Sequence, residues 1–283
     1  MKIKVKKILK VILTAALIIG CFFFAKSKLE NYTGQRDYEE AVLIATGGQP
    51  LTIQVQSSKA DPPSSQPDTE VDEITSPEPE IEADPYVETL KSIDLKALQE
   101  VNPEVIGWVL IPDTEISYPL MHHENNEYYL DHTWKTTGNF MGSIFIDSQN
   151  EADFSDFNTI LYGHSMNNGA MFGMLDNYSD PEFLQAHPSI YIMIESGIYK
   201  YDIFAVHRAG MKTIAFGMKM NTEKKRQEFI DFALDYSEYD TGIVPTTDSK
   251  MLTLATCSYS RHKVRLVVQA TIDEGASYIF PAE

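Results

Sequence analysis

Short apolar runs rich in β-branched and aromatic residues recur from residue 107 to residue 272, and they constrain the fold more than any other feature. Six such runs come first, at residues 107–111, 116–120, 142–146, 158–162, 190–194 and 200–206. Turn signals such as Ile111-Pro-Asp-Thr and Glu195-Ser-Gly separate neighbouring runs. Many short strands joined by brief turns predict a β-sandwich or a β-barrel.

The last two strands of this series carry the most informative side chains. Apolar and polar positions alternate with a period of two along residues 251–257, which predicts a half-buried strand that ends at Cys257. A short polar stretch, residues 258–263, predicts a loop, and the β-branched run that follows predicts a strand over residues 264–272. Cys257 therefore ends one strand, and Arg265 lies at the start of the next.

Helical patterns precede and interrupt the strands. Apolar residues at helical spacing predict one amphipathic helix over residues 86–101, at the start of the folded domain. Two helical inserts are predicted farther along, at residues 171–178 and at residues 222–236, and Thr222 is suited to cap the second. The strands with these helices predict a mostly β domain.

The N-terminal segment has the pattern of a membrane anchor. Residues 11–25 carry no charge and follow a cluster of five lysines. A spanning helix needs about 20 residues, and Lys10 and Lys26 can extend this run by snorkelling. The lysine excess predicts a cytoplasmic N-terminus and an extracellular body. There are two alternatives to an uncleaved anchor. One is a cleaved signal peptide, and the other is a lipoprotein signal that leaves Cys21 lipidated.

Composition divides the chain into four segments. Residues 1–26 are the predicted signal anchor, and residues 27–48 form a juxtamembrane helix ended by Gly47-Gly48. Residues 49–84 are acidic and rich in proline, with no basic residue between Lys59 and Lys91, which predicts a disordered linker. Residues 85–283 are predicted to form one folded domain.

The acidic charge and the missing motifs exclude several classes of function. The net charge is −18, whereas nucleic-acid binding needs a basic surface. No phosphate-binding glycine motif occurs, so no nucleotide cofactor is expected. Histidines and glutamates cluster in residues 122–132 without the spacing of a metal site, and this stretch is interpreted as a solvated loop that binds no metal.

Three side chains suggest nucleophilic chemistry. The two cysteines are far apart in the chain, which leaves Cys257 as a candidate thiolate nucleophile. His164 follows a strand-like run and can exchange protons near neutral pH. Arg265 offers a permanent positive charge for a developing oxyanion. Arg261 is the competing arginine, but it lies in the predicted loop, whereas Arg265 lies on a strand.

The stretch Thr253-Leu-Ala-Thr-Cys257, with Arg265 eight residues later, resembles the Thr-Leu-x-Thr-Cys signature of the sortases. Residues 85–272 are most similar to class B members, through the helix at 222–236 and the segment Glu127-Tyr-Tyr-Leu-Asp-His132. Class B members often have serine where this chain has Ala255. The resemblance implies a closed eight-stranded barrel with N-terminal helices and a long helix before the cysteine strand.

The resemblance also implies a function. Sortases are membrane-anchored cysteine transpeptidases of Gram-positive bacteria that cleave C-terminal sorting motifs, and class B members favour Asn-Pro-x-Thr-like signals. It implies that Cys257 forms a thioacyl-enzyme, that His164 is the acid and base, and that Arg265 steadies the oxyanion. Thr256 and Asp131 are expected to contact the substrate. The resemblance further implies that the new carboxyl end of the cleaved protein is joined to a peptidoglycan amine.

Two alternatives remain open at this point. One is a pilin-polymerising sortase, in which a pilin lysine is the acceptor amine. The other is a non-catalytic module associated with the cell wall, in which the cysteine is buried and inert.

Overall fold

The computed structural model describes residues 2–49, 84–257 and 264–281. The predicted linker, except for its two end residues, and the predicted loop that contains Arg261 lie outside these ranges. The chain begins with one long helix, α1, Lys2–Ala45. A turn follows it, in which Gly47 and Gly48 adopt φ values of +60° and +87° that side chains other than glycine rarely tolerate.

Eight strands in the described residues close into a barrel with the order β1-β2-β3-β4-β7-β8-β6-β5. This arrangement confirms the predicted fold class. The strands are β1 (Val105–Leu110), β2 (Ser117–Met121), β3 (Ile144–Ile146), β4 (Asn158–His164), β5 (Ser189–Ile194), β6 (Gly197–Gly210), β7 (Met251–Cys257) and β8 (Val264–Ile279).

The region before the barrel contains two helices instead of the predicted one. They are α2, Pro85–Lys91, and α3, Leu95–Val101. The Asp94 carboxylate accepts a hydrogen bond from the Ala97 amide at 2.9 Å and caps α3, so the chain turns between the two helices. The prediction of one continuous helix was wrong because an N-cap residue lay inside the apolar pattern.

The two predicted inserts had different outcomes. The second is α5, Glu223–Tyr236, and the Thr222 side chain caps it as predicted. The first was wrong in its bounds, since a 3-10 helix at Leu175–Ser179 replaces it. A further helix, α4 (Pro181–Ala186), was not predicted. In α5, Phe229 and Ile230 are fully buried, so this helix covers the outside of the barrel.

A buried network of hydrogen bonds links the three strands that carry candidate site residues, β4, β7 and β8, to their neighbour β6. Thr253 donates to the Asn158 side chain at 2.7 Å and accepts from Gln269 at 3.2 Å. The Gln269 amide oxygen then accepts from His207 Nε2 at 2.8 Å. These bonds join β4, β7, β8 and β6, and all four side chains are buried. Since buried polar groups must be paired, this hydrogen-bond network favours one register among the four strands.

The C-terminal part of α1 packs against the barrel. The Trp134 indole donates to the Asp37 carbonyl at 2.6 Å, and the Tyr38 hydroxyl donates to the Gly142 carbonyl at 2.6 Å. Trp134 and Tyr38 are both buried. By length and composition α1 is also a candidate membrane span, near the N-terminus of the chain. Because α1 is continuous, the same helix carries the apolar run and the contacts with the barrel.

Candidate active site

The pairing of β4 with β7 brings His164 next to Cys257. The two strands run parallel, from the pair Asn158 and Met251 to the pair His164 and Cys257. Parallel strands end at the same edge of a sheet, so the last residues of both strands lie at one rim of the barrel. Two residues that are 93 positions apart in sequence are therefore direct neighbours across the ladder.

The antiparallel pairing of β7 with β8 brings Arg265 to the same rim. Its ladder pairs Met251 with Thr271 and Ala255 with Val267. This is the last pair of the ladder. Extending the same register by two residues on each strand puts Cys257 opposite Arg265. The Arg265 guanidinium lies 5.8 Å from the centre of the Tyr162 ring on β4, a distance that allows a cation–π interaction.

A backbone carbonyl determines which ring nitrogen of His164 carries a hydrogen. Nε2 of His164 lies 2.5 Å from the carbonyl oxygen of Leu130, and the His164 residue is only 4 % exposed. A carbonyl oxygen can only accept, so Nε2 carries the hydrogen in this contact. In the neutral ring, Nδ1 is then the nitrogen that accepts and returns a proton.

The segment that presents this carbonyl is held from both sides. Leu130 ends a 3-10 turn, and the Asn125 side chain accepts from the amides of Glu127 and Tyr128 at the start of that turn. The Tyr129 hydroxyl donates to Glu104 at 2.6 Å, and burial raises the pKa of this phenol, so it stays a neutral donor. The Leu130 carbonyl is thus fixed before any substrate binds.

A groove of about 340 Å³ opens beside Arg265, and we call it the Arg265 groove. Its walls combine apolar side chains with a few polar groups, and they include Asn126, Leu130, Asp147, Tyr162, Met211 and Arg265. The buried Asp147 carboxylate accepts from Asn126 at 2.9 Å and from the Tyr162 hydroxyl at 3.0 Å. Hydrogen bonds therefore fix the position of the side chains in one wall of the groove.

The remaining predicted residues occupy different positions. Thr256 is buried on β7 and pairs with Gly163, directly beside the rim. Asp131 has an exposed carboxylate that lies 2.8 Å from Nδ1 of His132. The structure therefore brings His164, Thr256 and Cys257 to one rim, with Arg265 one strand away, whereas Asp131 contacts its sequence neighbour. The described residues contain no group of His, Cys, Asp and Glu suited to hold a metal ion.

Sequence reasoning missed the residues that support this rim. Leu130 acts through its backbone carbonyl, which no side-chain pattern reveals. Asp147 follows β3, Tyr162 lies within β4 and Asn126 lies in the loop after β2, so their grouping depends on the pairing of β3 with β4 and on the path of that loop. The one available signal was the segment Glu127 to His132, which contains the Leu130 turn.

Comparisons with known proteins agree with this architecture. A family model described as a sortase domain matches residues 109–273. Sortase B of Listeria monocytogenes is 34% identical over 183 residues, which cover 63% of this chain and 74% of the relative. Sortase B of Staphylococcus aureus is 28% identical over 179 residues, with coverage of 62% and 73%.

Solved structures match as well. A Staphylococcus aureus sortase B–substrate complex has a TM-score of 0.61 at 28% identity, covering 63% of this chain and 84% of that one. Bacillus anthracis sortase B in complex with AAEK1 has a TM-score of 0.58 at 33% identity, with coverage of 63% and 83%. The closed barrel and these matches define a β-barrel transpeptidase. The chain belongs to the sortase family, and among its members it is most similar to the class B sortases.

Proposed function

We propose that this chain is a membrane-anchored cysteine transpeptidase that attaches secreted proteins to the cell wall of a Gram-positive bacterium. It cleaves a C-terminal sorting motif and joins the new carboxyl end, through a thioacyl-enzyme, to a peptidoglycan amine. The observation that carries the proposal is the ladder pairing of His164 with Cys257 at the rim where Arg265 lies. The family membership supplies the class of reaction.

In the first half-reaction, the Cys257 thiolate attacks the carbonyl carbon of the scissile peptide bond. A C–S bond forms, and the carbonyl oxygen becomes an oxyanion that the Arg265 guanidinium stabilises. The intermediate collapses with cleavage of the C–N bond. Protonated His164 gives its Nδ1 proton to the leaving amine, so the products are a thioester on Cys257 and a free amine.

In the second half-reaction, an acceptor amine attacks the thioester carbon. His164, now neutral, takes a proton from this amine, and the Cys257 thiolate leaves as the new amide bond forms. The hydrogen bond from Nε2 to the Leu130 carbonyl keeps the same ring nitrogen available in both half-reactions. The ring is therefore returned to its starting state after each turnover.

We propose the Arg265 groove as the binding site for the sorting signal. It opens beside the rim, it contains both apolar surface and fixed polar groups, and its position lets a bound peptide present its carbonyl to Cys257. The class B resemblance favours an Asn-Pro-x-Thr-like motif. Thr256 is a further candidate contact because it precedes the nucleophile on β7, and Asp131 is a weaker one because its carboxylate is already paired with His132.

The anchor places this chemistry outside the cell. Lysines at positions 2, 4, 6, 7 and 10 precede the apolar run of α1, and such an excess marks the cytoplasmic side. We therefore propose a single-pass protein with a cytoplasmic N-terminus and an extracellular barrel. The candidate span in α1 supports the anchor.

The two cysteines of the chain make the test specific. We expect Cys257→Ala to abolish cleavage of a fluorogenic Asn-Pro-x-Thr peptide by the full-length protein in detergent, and Cys21→Ala to leave the rate unchanged. Mass spectrometry should detect a thioacyl adduct on the wild type and on Cys21→Ala, and never on Cys257→Ala. Cleavage by Cys257→Ala would remove this residue from the mechanism.

A labelling experiment separates this proposal from a non-catalytic module. A reactive thiolate at the rim reacts quickly with a charged, water-soluble thiol reagent, whereas a buried inert thiol does not. We expect fast modification of Cys257 in the native Cys21→Ala protein. The rate of peptide cleavage should fall in proportion to the fraction of Cys257 that is modified. A Cys257 that reacts only after denaturation would favour the non-catalytic alternative.

A further inference from the structure

A buried carboxylate that neither half-reaction uses lies in the wall of the Arg265 groove. Asp147 directly follows β3, is only 5 % exposed, and lines the groove together with Tyr162 and Arg265. Besides the two side-chain hydrogen bonds described above, it accepts one from the Gln149 amide at 3.0 Å. All of these donors are neutral, and within residues 2–49, 84–257 and 264–281 Asp147 forms no ion pair. Its negative charge therefore attracts the cation that shares the groove.

Tyr162 connects this carboxylate to Arg265. The Tyr162 hydroxyl donates to Asp147 at 3.0 Å, and a hydrogen bond to a charged acceptor is stronger than one to a neutral acceptor. The buried Tyr162 ring also contacts Phe145, with 5.6 Å between the two ring centroids. The Arg265 guanidinium lies 5.8 Å from the centre of the same Tyr162 ring. A ring that is fixed by packing and at its hydroxyl therefore presents its aromatic surface to the guanidinium.

The strand register explains how the guanidinium reaches a ring two strands away. Tyr162 pairs with Ala255 on β7, and Ala255 pairs with Val267 on β8, two residues after Arg265. Residues that are paired or two positions apart share one face of a sheet, so Tyr162, Ala255 and Arg265 point to the same side. Ala255 lies on the strand between the other two and carries only a methyl group. The long side chain of Arg265 can therefore cross β7 at this position.

The guanidinium of Arg265 must be ordered before it can stabilise an oxyanion efficiently. An arginine side chain has several rotatable bonds, and preorganised donors are the ones that accelerate a reaction. Arg265 is half-buried, and in the parts of the chain that the structure describes it forms no ion pair. Within these parts, the interaction that orders the guanidinium is its contact with the Tyr162 ring.

We propose that Asp147 is a positioning residue that acts on Arg265 through Tyr162. The carboxylate fixes the phenol, and the ring together with the buried negative charge holds the guanidinium at the rim. Arg265 then meets the oxyanion without first changing its side-chain conformation. Asp147 therefore affects the rate of the chemical steps and not the binding of the sorting signal. This inference rests on the proposed transpeptidase function.

The kinetic test uses two conservative variants of the full-length protein in detergent. Asp147→Asn removes the charge and keeps an acceptor oxygen, whereas Tyr162→Phe keeps the ring and removes the bond to Asp147. We expect each variant to lower kcat for sorting-peptide cleavage by about tenfold, less than the roughly hundredfold loss from removing an oxyanion donor outright. KM should stay within about twofold of the wild type. A higher KM at unchanged kcat, or no change in either constant, would overturn the proposal.

Two matched controls remove a similar hydrogen bond outside the groove. Asp156 also accepts from an asparagine side chain and from a backbone amide, in both cases at 2.8 Å. The buried Tyr178 hydroxyl donates to the His187 carbonyl at 2.8 Å. Asp156→Asn and Tyr178→Phe should leave kcat and KM unchanged. An equal loss of kcat in these controls would overturn the assignment to the groove.

A double-mutant cycle tests whether Asp147 acts through Arg265. In an Arg265→Gln background the cation is absent, so Asp147→Asn should change the single-turnover cleavage rate by less than about twofold, since coupled sites are not additive. A variant that merely damages the fold lowers the rate in both backgrounds. A tenfold loss from Asp147→Asn in both backgrounds would therefore show that Asp147 acts without Arg265, and it would overturn the proposal.

An NMR measurement that needs no catalysis separates failure of this inference from failure of the proposed function. Full-length protein with ¹⁵N-labelled arginine in detergent micelles gives a side-chain Nε–H signal for Arg265, which is identified by its loss in Arg265→Gln. We expect the order parameter of this group to fall below about 0.6, the range of flexible groups, in Asp147→Asn and in Tyr162→Phe. Asp156→Asn should leave it unchanged. An unchanged order parameter in the first two variants would overturn the positioning role, whether or not sorting peptides are cleaved.

Discussion

The rim of the barrel and the interface between α1 and the barrel are held in place by different kinds of contact. At the rim, the backbone ladders of β4, β7 and β8 bring His164, Cys257 and Arg265 together, and the ring of His164 is oriented by a backbone carbonyl. At the α1 interface, side chains make the contacts, with Trp134 bonded to the Asp37 carbonyl and Thr133 to the Asp37 carboxylate.

The two regions should therefore respond differently to mutation. A side chain at the rim can be replaced without loss of the ladder that positions it, so activity should fall while the fold survives. A side chain at the α1 interface is itself the positioning contact, so stability should fall while the chemistry survives. One segment, residues 130–142, connects the regions, because its first carbonyl contacts His164 and its last contacts Tyr38.

The largest expected effect is at the rim. We expect His164→Gln to lower kcat/KM for sorting-peptide cleavage by about a thousandfold, since general acid–base catalysis contributes about that much. Glutamine keeps an N–H group for the Leu130 carbonyl, so the Tm should not change. Peptide cleavage and thermal unfolding of the same preparation check both statements. A loss below tenfold would exclude His164 as the acid and base, and a large drop in Tm would contradict the separation of the two regions.

A smaller effect, on stability, is expected at the α1 interface. Trp134→Phe removes the indole donor and leaves the Asp37 carbonyl without this partner, which should lower the free energy of unfolding by about 1–2 kcal/mol. Sorting-peptide cleavage should stay within about twofold of the wild type.

Hydrogen exchange gives this prediction a matched control. Trp108→Phe also removes an indole donor, but that donor bonds to Ser117 within the barrel. Amides of residues 30–45 should exchange faster in Trp134→Phe and at the wild-type rate in Trp108→Phe. Equal exchange of these amides in both variants would show that Trp134 does not hold α1 against the barrel.

The smallest expected effect is a pH dependence of stability from His207, next to the strands of the rim. Burial lowers the pKa of His207 below its ordinary value of 6.5, so the folded state keeps the ring neutral. As the pH falls below about 6.5, the unfolded chain binds a proton that the folded chain does not bind, and stability is lost. Once the pH is below the lowered pKa of His207 in the folded state, both states bind the proton, and no further stability is lost.

His207→Gln should remove this part of the acid destabilisation, since glutamine does not titrate and can still donate to Gln269. Chemical denaturation measures the free energy of unfolding of both proteins between pH 7.5 and pH 5, at about two pH values per unit. The stability of the wild type should fall relative to that of the variant as the pH is lowered. Parallel curves would contradict a depressed pKa for His207.

The sequence predicted the strands and the rim residues because local patterns mark them. β-branched runs indicate strands wherever one face is buried, and the terminal positions of His164 and Cys257 on their strands follow from the ends of those runs. The full length of β6, Gly197–Gly210, was underestimated, since glycine at both ends and polar residues within it weaken the pattern. The break between α2 and α3 was missed because Asp94 interrupts an apolar period that continues on both sides.

The supporting contacts could not be predicted, for a physical reason. The Leu130 carbonyl and the Asp147 hydrogen bonds depend on which segments meet in three dimensions, and a backbone acceptor has no sequence signature. The roles of His164, Cys257 and Arg265 stay predictions from the motif and the register. The division of the N-terminal part at residue 26 also stays a prediction, and α1 passes through this position without a break.

The proposed active site depends on the pairing of β4 with β7, and a thiol bridge tests this pairing without any activity assay. In full-length protein with Cys21→Ser, the substitution His164→Cys adds a thiol on the ladder partner of Cys257, whereas Ser165→Cys adds it one residue later, beyond the end of β4 and of this ladder. A short bifunctional thiol reagent is added, and the intact mass is measured. We expect one bridging adduct and no free thiol in the His164→Cys protein, and two separate adducts in the Ser165→Cys protein. Separate adducts in a natively folded His164→Cys protein would contradict the register on which the proposed active site depends.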